Sequence, residues 1–131
     1  MAMSSSASKP DYAEAYFGMG IAYSVLGRHS KVIAAYKKAI AIKPDYADAY
    51  IGMGIAYRNL KRYAEAIAAF KKVIAIKPNF AEASFFMGIN YGAIGRRREA
   101  IGALRKYLQL EPSGEFAEDA RESIRILSSG R

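Results

Sequence analysis

Lys43-Pro44-Asp45-Tyr46-Ala47 returns as Lys77-Pro78-Asn79-Phe80-Ala81, and an earlier copy, Lys9-Pro10-Asp11-Tyr12-Ala13, stands near the start of the chain. Working outward from this phrase, prolines occupy positions 10, 44, 78 and 112, an even interval at the roughly 34-residue period of helix-turn-helix repeats. Between them apolar residues step by three and four, as in Tyr16, Met19, Gly20 and Tyr23, then Val32, Ile33, Tyr36, Ala39 and Ile40. That spacing is helical, and strand-like alternation is missing. Helices are expected near 12–26, 30–42, 46–60, 64–76, 80–94, 98–110 and 114–128.

An acid or amide followed three residues later by a carboxylate opens each first helix: Asp11 with Glu14, Asp45 with Asp48, Asn79 with Glu82. The pattern predicts a capping box, in which the first side chain accepts from an orphan N–H and the second favours the positive helix end. Gly27 and Gly95 mark where the first helix of a pair stops, and Lys61 replaces them in the middle copy.

The chain has 131 residues, about one domain, and its 52% hydrophobic content is enough for a folded core. Cysteine is absent, so neither a disulfide framework nor a thiolate metal site is available, and the cytoplasm is the default compartment. Residues 1–8 read as a flexible leader or an expression scar, without a signal-peptide apolar run. Because Lys9-Pro10-Asp11-Tyr12 is a junction phrase with nothing helical expected before it, the chain is expected to be cut from a longer array or to have lost upstream repeats. The net charge is +8 and the pI about 9.7, which raises nucleic acid, an anionic surface or an acidic protein as partners.

With these residues in view, the chain resembles the tetratricopeptide-repeat family. The family's spacing of large residue, large aliphatic, glycine and tyrosine is matched by Tyr16, Met19, Gly20, Tyr23 and by Tyr50, Met53, Gly54, Tyr57. The third copy, Ser84, Met87, Gly88, Tyr91, departs at its first position. In the second helices the small and large residues four apart are Val32 with Tyr36, Ala66 with Phe70 and Ala100 with Leu104. The resemblance implies an all-α, right-handed superhelical α-solenoid of three antiparallel helix pairs with a terminal capping helix. The domain would span 9–128, with repeats at about 11–44, 45–78 and 79–112, the capping helix at 113–128 and a tail at 129–131. Physically, Gly20, Gly54 and Gly88 let paired helices approach, and Tyr23, Tyr57 and Tyr91 fill the space between neighbours. No single pair can bury its apolar face, so stacking and a sealed end are needed. Ala117, Ala120, Ile124 and Leu127 supply that seal, with Glu118, Asp119, Arg121, Glu122 and Arg125 facing water.

Catalysis is not indicated. His29 is the one histidine, which leaves no histidine-based triad and, without cysteine, no zinc site. Gly18-Met19-Gly20 lies mid-helix and lacks the lysine and hydroxyl of a phosphate loop. No cofactor is expected.

The family's stacks line a concave groove with their first helices. Carried over copy by copy, this implies a peptide-binding groove of Phe17, Ile21, Val25, Ile51, Ile55, Arg58, Asn59, Phe85, Phe86 and Ile89, with Gly18, Gly52 and Gly92 between them. This stripe is separate from the residues between helices, and an apolar stripe facing water is an interaction surface. The expected partner is a protein or peptide, as an amphipathic helix or an extended apolar segment. Homo-oligomerisation through the groove or the stack ends is the alternative. The family's carboxylate clamp for chaperone tails is missing, since Phe17, Ile21, Gly52, Glu82 and Phe86 stand at its places. Lys37-Lys38, Lys71-Lys72 and Arg105-Lys106 recur at one phase of the second helices, and Arg96-Arg97-Arg98 forms a dense basic turn. Such a ridge could follow phosphates. A solvated back is the favoured reading, because the basic pairs lack interleaved exposed aromatics.

Overall fold

The computed structural model of the chain describes residues 2–129. Its helices are α1 (Ala2–Val25), α2 (His29–Ile42), α3 (Ala47–Asn59), α4 (Tyr63–Ile76), α5 (Ala81–Ala93), α6 (Arg97–Leu110) and α7 (Ala117–Ser128). Among the described residues there is no strand. Three antiparallel pairs, α1/α2, α3/α4 and α5/α6, stack in chain order, and α7 packs on α6 as a cap.

The turn inside each pair is the same device three times. Gly27 (φ 72°), Lys61 (φ 62°) and Gly95 (φ 77°) all adopt the left-handed conformation. This lets the N–H of Arg28, Arg62 and Arg96 donate to the carbonyls of Tyr23, Tyr57 and Tyr91 at 2.9, 2.8 and 2.9 Å, closing the helix end. Lys61 makes the bend without glycine, which costs about 1–2 kcal/mol. Between pairs, Lys43 and Lys77 end α2 and α4 with N–H bonds to Ala39 and Val73.

Three expectations about helix starts are corrected. The helices α3 and α5 begin after Tyr46 and Phe80, with no side-chain cap hydrogen bond, so Asp45 and Asn79 form no capping box. Asp48 and Glu82 sit in the first turns, where only the helix dipole favours them. The first helix starts at Ala2, ten residues before its expected start; no second helix precedes Pro10 among the described residues, so nothing there forces the turn that Pro44 and Pro78 make. The last helix starts at Ala117 and not at 114, because Gly114 to Phe116 form a turn held by Tyr107, whose hydroxyl accepts from the N–H of Phe116 at 3.0 Å. The expected tail at 129–131 lies largely outside the described residues.

The pairs close by ring-over-glycine packing. A Cβ at Gly54 would meet the Phe70 ring at 2.6 Å, and one at Gly88 would meet Leu104 at 2.7 Å; Gly20 faces Tyr36 in the same way. The large residue therefore fills the space that the missing side chain leaves, and helix axes approach at interior packing density. Tyr36 also lies against Gly52 of the next pair, so Gly52 serves packing and not the groove. Around these contacts Val32, Ile33, Ala39, Met53, Ala56, Tyr57, Ala66 and Val73 form one buried core. A second one joins Ala81, Phe85, Leu104 and Tyr107 to Ala117 and Ala120 of the cap. Met19, expected between helices, is 44% exposed, whereas its counterpart Met53 is buried and Met87 half-buried.

Candidate functional site

Each first helix carries one candidate stripe. Residues three or four apart share a helix face, which gives Phe17, Ile21, Val25 on α1, Ile51, Ile55, Arg58 on α3 and Phe85, Phe86, Ile89 on α5. These helices touch side by side at α1 and α3. A cavity of about 450 Å³ then spans α3, α5 and α7, lined by Arg58, Phe85, Phe86, Ile89, Phe116, Asp119, Glu122 and Ser123. Beside it lies an apolar hollow of about 200 Å³, bounded by Gly88, Ile89, Gly92 and Leu104 and by Ser123, Ile126 and Leu127 of α7. Ile89 and Ser123 form the wall shared by the two.

Exposure differs along the stripe. Ile21 is 47% exposed and Ile55 39%, an unusual state for two isoleucines in register. Val25, Arg58 and Asn59 are also exposed, while Ile51, Phe86 and Ile89 are half-buried. Phe17 is half-buried because its ring stacks on Tyr46 at 4.9 Å and tilts against Tyr36 at 5.4 Å. Phe85 corrects the expectation of an open groove residue. It is 7% exposed, covered by Phe116 stacked on it at 4.5 Å and by Tyr107 at 5.6 Å. It is floor, and the half-buried Phe86, touching Phe70 and Phe116 at 5.4 and 5.6 Å, continues that floor toward α3.

Reading by repeats missed the contribution of α7. Asp119, Glu122 and Ser123 line the cavity, although an amphipathic reading puts the first two on the solvated side. The signal was available: Asp119 and Ser123 follow Phe85 and Ile89 by one repeat length, so α7 takes the place of a further first helix.

The second helices carry Lys37, Lys38, Lys71, Lys72, Arg105 and Lys106, all exposed. Part of the basic charge is engaged within the chain. Lys38 lies over the Tyr16 ring at 5.6 Å and Arg96 pairs with Glu99 at 2.6 Å. That pairing holds the Glu99 carboxyl below its usual range, through the hydrogen bond from Arg96 first. No group of three His, Cys, Asp or Glu among the described residues could hold a metal, and no helix there is long and apolar enough to cross a membrane.

The family model described as tetratricopeptide repeat matches residues 13–46 and 47–80, just over half of the chain. Among solved structures, the first such domain of Spaghetti (RPAP3), bound to the HSP90 peptide SRMEEVD, superposes with a TM-score of 0.83 at 23% identity. That match covers 91% of this chain and 92% of that one. The TPR2B domain of yeast Sti1, in complex with an Hsp70 peptide, gives 0.83 at 24% identity over 92% and 98%. A crystal structure of MamA gives 0.76 at 36% identity, over 79% of this chain and 60% of that one. No protein of curated function gives a significant sequence match.

Proposed function

We propose, from the premise that this chain belongs to the tetratricopeptide-repeat family, that it is an interaction scaffold. Its first-helix groove holds an apolar or amphipathic segment of another polypeptide. The observation that carries the reading is the isoleucine row: Ile21 and Ile55 stand bare, and Ile89 continues the row into the cavity under α7. Water-facing apolar rows of this kind are partner surfaces. Phe17, Ile51, Phe85 and Phe86 support the floor, Ile21, Val25, Ile55 and Ile89 grip apolar side chains, and Arg58 and Asn59 orient the bound backbone or its polar groups.

The peptide complexes of the Spaghetti and Sti1 domains support peptide binding as a use of this fold. A chaperone tail is not the ligand proposed here, because Phe17, Ile21, Gly52, Glu82 and Phe86 occupy the clamp places. Action is in the cytoplasm, without catalysis or cofactor. Self-association is the second reading, favoured by Met19 and Leu26 lying exposed at the first end of the stack.

Ile55→Lys tests the groove. Lysine can lift its charged end into solvent, so the melting temperature is expected to stay near wild type. Affinity for an amphipathic peptide is expected to fall by about 2 kcal/mol, roughly 30-fold. Titration by fluorescence anisotropy decides. Binding that survives Ile55→Lys and disappears in Lys71→Gln/Lys72→Gln would move the site to the basic ridge, and mass that rises with concentration in light scattering would favour self-association.

A further inference from the structure

The charge along the groove is opposite to the charge of the chain. On each first helix the stripe opens with an acid and continues with apolar residues: Glu14, Phe17, Ile21; Asp48, Ile51, Ile55; Glu82, Phe86, Ile89. These spacings of three and four put each acid on the face of its isoleucine. Tyr46 shows two of the acids meeting at one edge. Its phenol is raised above the ordinary value by burial first, then by the charges of Glu14 and Asp48, and its ring lies on Phe17 in the groove floor. At the far end Asp119 and Glu122 of α7 face the same cavity as Phe86 and Ile89.

Among the described residues, ion pairs join Arg62 with Glu65, Arg96 with Glu99 and Arg125 with the Glu122 of the cavity wall. Glu14, Asp48, Glu82 and Asp119 enter none of them. Twenty lysines and arginines stand against twelve acids in this chain, yet among the described residues the groove presents a row of carboxylates outside these ion pairs, with Arg58 as an exposed cation. Attraction to the helix dipole accounts for Asp48, Glu82 and Asp119, which lie in first turns. It does not account for Glu14, well inside a helix that begins at Ala2.

We infer that the groove selects a segment with an apolar ridge and a lysine- or arginine-bearing flank. The ridge lies over Ile21, Ile55 and Ile89, and the flank follows Glu14, Asp48 and Glu82 toward Asp119. The inference rests on the groove reading above and adds the charge of the partner. Complementary rim charges set partner choice and association rate more than affinity, and like charges along the rim reject acidic segments.

The test uses three synthetic amphipathic helices that share one leucine ridge and differ only in a flank of lysine, glutamine or glutamate. Each is titrated into wild type and into Asp48→Asn/Glu82→Gln/Asp119→Asn, of which Asp48 and Asp119 are exposed and Glu82 half-buried, and circular dichroism checks that the fold is retained. The lysine peptide is expected to bind wild type about tenfold more tightly than the glutamine peptide, with the glutamate peptide weakest and the preference shrinking as salt rises. In the triple variant the lysine and glutamine peptides are expected to converge. Equal binding of the lysine and glutamine peptides to wild type, or a lysine preference that survives in the triple variant, overturns the charge inference alone. A glutamine peptide that fails to bind, or binds without regard to Ile55→Lys, overturns the groove reading and the inference with it.

Discussion

Tyr57→Lys is expected to unfold the module. The ring is 6% exposed and belongs to the main core with Val32, Met53 and Phe70. Removing a buried aromatic costs about 3–5 kcal/mol. The lysine adds a charge that must either stay buried without a partner or drag the end of α3 open. A charge of the same sign stands close by, since the Arg62 guanidinium lies over this ring at 5.1 Å. Against the roughly 5–15 kcal/mol that holds a domain together, the loss is decisive. Far-UV circular dichroism during heating is the measurement. A melting temperature within a few degrees of wild type would show that Tyr57 is not a core residue.

Gly54→Leu is expected to destabilise the stack by about 2–3 kcal/mol, even though leucine is the better helix former by nearly 1 kcal/mol. A Cβ at this position lies 2.6 Å from the Phe70 ring, and Phe70 is itself enclosed, touching Phe86 at 5.4 Å. The ring has no free space to rotate into, so the helices must part. Gly92→Ala is the companion change: no atom lies within 4 Å of its Cβ, and helix propensity alone is expected to stabilise it by about 0.5–1 kcal/mol. Urea midpoints moving in opposite directions support the notch. Midpoints that move together would remove it.

The interior of the stack was legible because its contacts repeat. Tyr36 on Gly20, Phe70 on Gly54 and Leu104 on Gly88 place a large residue and a glycine at one constant separation, and periodicity in sequence is periodicity in packing. The left-handed Lys61 was legible for the same reason, as the residue in a glycine's place.

The ends were not. Counting by repeats treats Phe85 as a copy of Phe17 and Ile51, but α7 folds Phe116 over it. Met19 is a copy of the buried Met53, yet it stands 44% exposed. Tyr107 stands where the other copies have Ala39 and Val73; that single enlargement is the trace of a cap, and its hydroxyl shapes the turn into α7. The capping boxes failed because hydrogen-bonding geometry depends on where the helix begins, and α3 and α5 begin one residue later than the pattern requires.

The most direct measurement of the central claim is a map of amide chemical-shift changes on the nitrogen-labelled module, titrated with the glutamine-flanked amphipathic helix. Its neutral flank removes charge attraction as a cause. The changes are expected to concentrate on Ile21, Ile55, Arg58, Phe86, Ile89 and Ser123, along the row and around the cavity under α7. Changes confined to Lys37, Lys38, Lys71, Lys72, Arg105 and Lys106 on the second helices, or no changes at all, would contradict it.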